Sequence, residues 1–252
     1  MIVISKLHSV FITLILIAMA LVADGQTIRG KYELGAQAGV FVYQGDLSPS
    51  PLGSFKTLRP ALGLSAARRL GDLYAIRLGL NLGRIAGDEG KYSDPAYRKE
   101  RNLAFSTPVT ELAGHFIWKP FGNPGRVGAW VPYAAVGGGL ALLRVRADAS
   151  GVSGAFATSE GSDFTNALAA DMARPKPRLM PSLQMGAGIR YQFRPQWAIQ
   201  AETSMRYLPT DFLDGFSRAV NPDTRDQYMT HSVGVVFCSG RGGRMACPKN
   251  VF

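Results

Sequence analysis

The chain has 252 residues, with 28 Lys and Arg against 18 Asp and Glu for a net charge of +10, and 46% of its residues are hydrophobic. Three histidines, one of them His8 near the start, exclude a metal triad built from histidine alone in the rest of the chain. The basic excess raises nucleic acid as a partner, but no helix-turn-helix, zinc-ligand spacing or aromatic RNA-binding motif accompanies it, so none is expected.

Lys6 and His8 precede an apolar run from Phe11 to Ala23 that is interrupted only by Thr13. The run is short of the roughly 18 to 20 apolar residues that a spanning helix needs, so residues 1–25 read as a cleaved secretory signal. Ala23 and Gly25 suit cleavage before Gln26, and Ala18 and Ala20 offer a second site. Past Gln26 no apolar stretch is long enough for a membrane helix, so insertion must use strands in a closed barrel.

Eight strands follow in residues 26–237. The first, Tyr32 to Tyr43, alternates Leu34, Ala36, Ala38 and Val40 with Glu33, Gly35, Gln37 and Gly39. Side chains alternate faces along a strand, so one face is apolar and the other carries glycine and charge. The second, about Arg59 to Arg69, keeps Leu62, Leu64 and Ala66 opposite Gly63 and Ser65, and the third, Tyr74 to Ile85, sets Ile76, Leu78 and Leu80 against Arg77 and Gly79.

The fourth strand, about Asn102 to Lys119, places Leu112, Phe116 and Trp118 outward and Glu111 and His115 inward. Its first half is out of step, because Leu103 and Phe105 fall on the inward parity. Either a bulge near Pro108 shifts the phase, or the two residues pack beneath a loop. The fifth, Val131 to Arg144, runs through Gly137, Gly138 and Gly139, and its faces stay unassigned. The sixth and seventh, Leu183 to Phe193 and Trp197 to Tyr207, alternate cleanly, with Arg190, Glu202 and Arg206 on the polar face. The eighth spans Gln227 to Phe237.

Short turns at Gly71-Asp72 and at Arg194 to Gln196 alternate with long polar connections, the longest covering Val145 to Lys176. This is the short-periplasmic, long-extracellular asymmetry of outer-membrane barrels. Pro120 to Ala129 departs from it as a middling loop where a tight turn is expected. Tyr32, Tyr43, Tyr74, Trp118, Trp130, Tyr191, Trp197 and Tyr207 lie near strand ends and suit interfacial girdles. Aromatic ends and loop asymmetry favour an all-β, eight-stranded antiparallel transmembrane barrel in the outer membrane, in contact with outer-membrane lipid, over a soluble barrel with the same alternation. Glu33, Arg77, Glu111, Arg190, Glu202 and Arg206 then form a charge cluster in a narrow lumen, which argues against a solute channel.

No nucleophile elbow, phosphate loop or paired-cysteine zinc signature is present, and the expectation is a noncatalytic protein with no cofactor and no metal. Cys238 and Cys247 follow the last strand in a periplasmic tail, residues 238–252, where an even count in an oxidising compartment favours a disulfide over free thiols.

Three short stretches carry a family likeness. Tyr43-Gln44-Gly45-Asp46-Leu47 closes the first strand, Arg101-Asn102-Leu103-Ala104-Phe105 opens the fourth, and Thr210-Asp211-Phe212-Leu213-Asp214 follows Arg206-Tyr207 after the seventh. With Cys247-Pro248 in the tail, the chain resembles the small outer-membrane barrel family of Bacteroidota that includes PorG, a component of the type 9 secretion system. Gly215 and Phe216 stand where members of that family often carry an acidic residue and a valine. The resemblance implies a noncatalytic anchor for the periplasmic ring of that machine. Gln26 to Lys31, the Pro120 to Ala129 loop, and the tail with Arg241, Arg244 and Lys249 are its candidate contact surfaces. Asp46, Asp211 and Asp214 are expected to organise extracellular turns by bonding backbone amides. Two other readings are a surface barrel for binding or adhesion through the Val145 to Lys176 loop, and a narrow porin.

Overall fold

The computed structural model describes residues 32–50, 53–122, 126–154, 156, 163–176, 178–210, 212–220 and 226–239. The proposed signal, Cys247 and nearly all of the tail lie outside the described residues. Eight long strands form the wall: β1 (Tyr32–Gln44), β2 (Arg59–Arg69), β3 (Tyr74–Asp88), β4 (Ala104–Trp118), β5 (Trp130–Leu143), β6 (Leu179–Arg194), β7 (Trp197–Tyr207) and β8 (Gln227–Cys238). Each pairs antiparallel with the next, and β8 pairs with β1 from Glu33↔Cys238 to Gln44↔Gln227, so the sheet closes on itself. Closure leaves no unpaired edge, which is the condition for a sheet to stand in hydrocarbon.

The alternation seen in the sequence maps onto two faces. Leu34, Leu62, Leu64, Ile76, Leu78, Leu82, Phe116, Val136, Leu140, Leu183, Met185, Ile199 and Val233 are exposed on the outside, while their sequence neighbours are buried or half-buried on the inward face. An exposed apolar surface of this extent on a closed barrel is a lipid-facing belt. One rim of the belt carries Tyr74, Trp118, Trp130, Tyr191, Trp197 and Phe237, with Trp130–Tyr191 and Trp197–Phe237 ring centroids 4.6 and 5.1 Å apart. That rim borders the short turns at residues 70–73 and 195–196 and the connection at 119–129. The long connections all emerge at the other end, which is therefore extracellular.

Three details differ from the sequence reading or complete it. Tyr43 does not belong to a girdle: it is buried inside the extracellular end. The girdle is thus concentrated on the periplasmic side, and of the named aromatics Tyr207 stands on the outward parity at the extracellular end. The pairing of β3 with β4 runs without a break from Tyr74↔Trp118 to Asp88↔Ala104, so no bulge lies at Pro108, and the wall's irregularity falls instead between Gln192 and Arg194. Leu103 and Phe105 are buried because they pack beneath the loops. The faces of β5 also become clear, with Val131, Tyr133, Ala135, Gly137, Gly139, Ala141 and Leu143 inward. Gly137 faces His115 across the ladder, and a Cβ on it would lie 2.0 Å from the Gly114 carbonyl oxygen, so the close contact there requires glycine.

Above the belt the connections fold into a cap. A two-residue strand, Ala147–Asp148, extends the wall beside β4; helix α1 (Tyr97–Arg101) and helix α2 (Asp163–Ala173) lie in the second and third long connections.

Candidate functional site: a sealed lumen beneath a packed cap

The lumen is filled in tiers. At the periplasmic mouth Glu33 meets Arg190 at 2.7 Å, Arg69 at 3.6 Å and Lys119 at 3.7 Å, so one carboxylate faces three cations. In the middle Arg77 binds Glu202 through two nitrogens, at 2.5 and 2.9 Å, and the Tyr133 hydroxyl donates to the same carboxylate at 2.8 Å. His115 lies 2.9 Å from the Gln184 amide oxygen. In the upper tier Glu111 is fully buried and accepts from Arg206 Nε at 3.0 Å, Tyr228 at 2.6 Å and Asn81 at 3.1 Å.

These tiers are linked. Arg190 donates to Gln200, Gln200 to Gln37, Gln37 to Asn81 and Asn81 to Glu111, a path of side-chain bonds 3.1 to 3.5 Å long from the mouth to the upper tier. A carboxylate in a medium of low dielectric is costly unless paired and hydrogen-bonded, and each of the three carboxylates here has an arginine. Glu33, Arg77, Glu111, Arg190, Glu202 and Arg206 thus lie inside as three opposite-charge pairs. Arg69 and Lys119 join them at the mouth, although the sequence pattern did not single them out, since both stand where a strand gives way to a turn.

Over the charged tiers sits an apolar plug of Phe41, Leu47, Ile85, Leu103, Phe105, Leu143, Leu208, Leu213, Phe216 and neighbours, all buried. The three family-like stretches, more than 50 residues apart in sequence at their nearest, converge on it. The Tyr43 hydroxyl lies between Asp214 Oδ2 at 2.9 Å and Asp226 Oδ1 at 2.6 Å, with Gly45 packed so tightly against them that a Cβ would meet the tyrosine oxygen at 2.1 Å. Burial and the neighbouring Asp226 carboxyl hold the Asp214 acid well above the usual carboxylate range. Asp214 also accepts from the Phe216 amide at 2.8 Å, and Asp226 from the Leu213 amide at 3.0 Å. Thr210 accepts from the Phe212 amide at 3.1 Å, and its carbonyl receives the Asp226 amide.

Arg101 and Arg98 both clasp the fully buried Glu89, Arg101 through Nε at 2.9 Å and through a second, closer contact from Nη2. Asn102, in the left-handed conformation at φ 40°, ends α1 and donates to the Gly151 carbonyl at 3.2 Å. Asp171 on α2 accepts from the Ser217 and Ala219 amides, tying the third long connection to the fourth. Glu89, Asp171 and Asp226 are loop carboxylates without any periodic signal, so sequence patterning passed over them. Asp46 lies in the turn that Ser48 closes onto the Gly45 carbonyl. Asp211 lies outside the described residues. Cys238 is buried at the periplasmic end, and its suggested partner Cys247 lies outside the described residues. Among the described residues no group of three His, Cys, Asp or Glu side chains has metal-holding geometry.

A closed antiparallel sheet, an outward apolar belt with an aromatic rim, and an interior filled by paired charges define the class: this is a small transmembrane β-barrel of the outer membrane. No protein-family model matches the chain, and no curated protein matches it. Among solved structures it is similar to neisserial surface protein A, at 18% identity over 82% of this chain and 96% of that one with a TM-score of 0.44. It is also similar to Ail, the attachment invasion locus protein of Yersinia pestis (11%, 84% and 99%, TM-score 0.45), and to the outer membrane protein OprG from Pseudomonas aeruginosa (11%, 84% and 97%, TM-score 0.43). At such scores the likeness informs neither residue roles nor partners.

Proposed function

We propose that this barrel is a noncatalytic, nonconducting structural component of the outer membrane that acts through its two ends. Following the family resemblance, we propose further that it anchors the periplasmic ring of a type 9 secretion machine. The observation that carries the first step is the lumen, where bonded side chains run from Glu33 to Arg206 beneath an apolar plug. An eight-stranded barrel is just wide enough for its own side chains to fill. The second step draws support from the convergence of Gly45, Asp46, Arg101, Asn102, Thr210 and Asp214 on one cap. That convergence explains why the stretches carrying the resemblance belong together.

The test is affinity capture of the tagged full-length barrel from crosslinked, mildly solubilised outer membrane of cells in which the machine is assembled. Capture is compared with and without the tail beyond Cys238. Tail-dependent recovery of ring proteins supports the anchor; recovery of intact barrel without them refutes it. A surface-binding role is the second reading, favoured by the way Asp171 fastens the longest connection into a defined cap. Removing residues 150–175 would abolish that role and leave an anchor working.

A further inference from the structure

The register places the outward side chains of β3, β4 and β5 in rows. From the periplasmic rim upward these read Tyr74–Trp118–Ala134, Ile76–Phe116–Val136, Leu78–Gly114–Gly138, Leu80–Leu112–Leu140 and Leu82–Thr110–Leu142. The next row is Arg84–Pro108–Arg144, and above it stand Ser106 and Arg146, while Ala86, opposite Ser106 on β3, is buried. Val145 and Ala147 pack inward against the buried plug, which turns Arg144 and Arg146 outward, and Arg84, Arg144 and Arg146 are all exposed.

The height of this row matters. Ten residues separate Tyr74 from Arg84, and at ~3.3 Å per residue on a strand tilted by ~40° they climb about 25 Å, the thickness of the lipid-facing band. The arginines therefore stand at the outer hydrocarbon boundary, at the end of the barrel opposite the aromatic rim. No hydrogen bond or ion pair occupies their guanidinium groups among the described residues. Two outward acids stand above them in the register, each with partners of its own. Asp148 accepts from the Ser150 amide and hydroxyl at 2.9 and 2.7 Å, and Asp88 accepts from the Gly90 amide and pairs with Lys91. Between the arginines the wall is low, because Ser106, Pro108 and Thr110 are small. Two open grooves run between β4 and the segment after it in the wall, one of about 390 Å³ lined by Ser106, Arg146 and Asp148 and one of about 240 Å³ lined by Pro108, Thr110, Leu142 and Arg144.

We propose that Arg84, Arg144 and Arg146 form a binding site for the phosphate groups of an outer-leaflet glycolipid, whose acyl chains lie on the leucine rows directly below. Arg84 on β3 and Arg144, the residue that follows β5, each oppose Pro108, so their backbones stand about 10 Å apart and both side chains reach one phosphate from either side. Guanidinium forks match phosphate oxygens bidentately, and at the edge of hydrocarbon the attraction is weakly screened. The inference rests on the orientation that places the long connections outside.

The test is native mass spectrometry of the full-length barrel released from detergent, titrated with diphosphoryl lipid A, with the same lipid stripped of its phosphates, and with inorganic phosphate alone. Wild type is expected to retain the phosphorylated lipid, and neither of the other two probes. At roughly one surface-charge interaction per arginine, each Arg→Gln change should weaken retention about fivefold and the three together on the order of 100-fold. Arg68→Gln, an exposed outward arginine at the opposite rim, should leave retention unchanged. Heat-modified gel mobility checks that every variant is folded. Equal retention of the dephosphorylated lipid, equal loss in Arg68→Gln, or full retention by the folded triple variant would overturn the site. Saturable binding of inorganic phosphate alone would overturn the lipid as its occupant.

Discussion

Replacing Glu111 by alanine should strip Arg206 of its counter-charge at a point where neither group sees water. Glu111 is 0% exposed and Arg206 3%, with Nε 3.0 and 3.1 Å from the two carboxylate oxygens. Breaking such a pair from one side costs about 3–5 kcal/mol, because the remaining ion keeps its desolvation penalty. Arg206 still has the Ser204 and Thr230 hydroxyls at 2.9 and 2.6 Å, which argues for the lower end, about 3 kcal/mol. Tyr228 and Asn81 lose an acceptor as well. Adding Arg206→Met removes the orphaned charge and should restore about 2 kcal/mol, since an apolar side chain of similar length replaces an unpaired ion. The assay is reversible urea unfolding in lipid vesicles, followed by tryptophan fluorescence and by gel mobility. A loss under about 1 kcal/mol for Glu111→Ala, or no recovery in the double variant, would mean that the upper tier is hydrated and the sealed-lumen description is wrong.

Other outcomes follow from the same geometry. Gly137→Ala should destabilise the barrel by about 1–3 kcal/mol through overpacking against the Gly114 carbonyl, whereas Gly114→Ala, with open space outside the wall, should be nearly neutral in the same unfolding assay. The raised Asp214 acid makes the folded cap bind a proton that the unfolded chain releases. Its contribution is therefore fully present below the ordinary carboxylate range and lost as pH rises through the folded value. Limited proteolysis of the loops should accordingly slow on mild acidification, and Asp214→Asn should abolish that part of the pH dependence. Glu89→Ala leaves Arg98 and Arg101 clustered without their carboxylate, so loop protection should fall while the strands stay protected, as hydrogen exchange would report.

Much of the wall was legible because lipid and lumen impose opposite demands on alternate residues. Ile76, Leu78 and Leu80 against Arg77 and Gly79 state a face, a period and an element at once. Legibility fails where that contrast fails. In β5 the run of glycines around Gly138 removes the side chains that would mark the faces, and only their fit against His115 and Leu112 restores the assignment. At the extracellular end the lumen turns from charged to apolar, so Leu103 and Phe105 looked out of phase although they point inward like Thr107 and Val109. Tyr43 looked like a girdle residue for the same reason: position near a strand end says nothing of which way a ring points. The cap's carboxylates bond across separations of up to 183 residues, and contacts of that span leave no local pattern to read.

The most direct test of the account is ion conductance of the full-length barrel in planar lipid bilayers, with Glu111→Ala and Arg77→Ala variants alongside. Filled tiers and an apolar plug predict no steady single-channel current for the wild type at moderate voltage. A stable open level would contradict it, because ions would then be crossing a lumen that the paired charges and the plug are held to close, and a role exercised only at the barrel's ends would no longer follow.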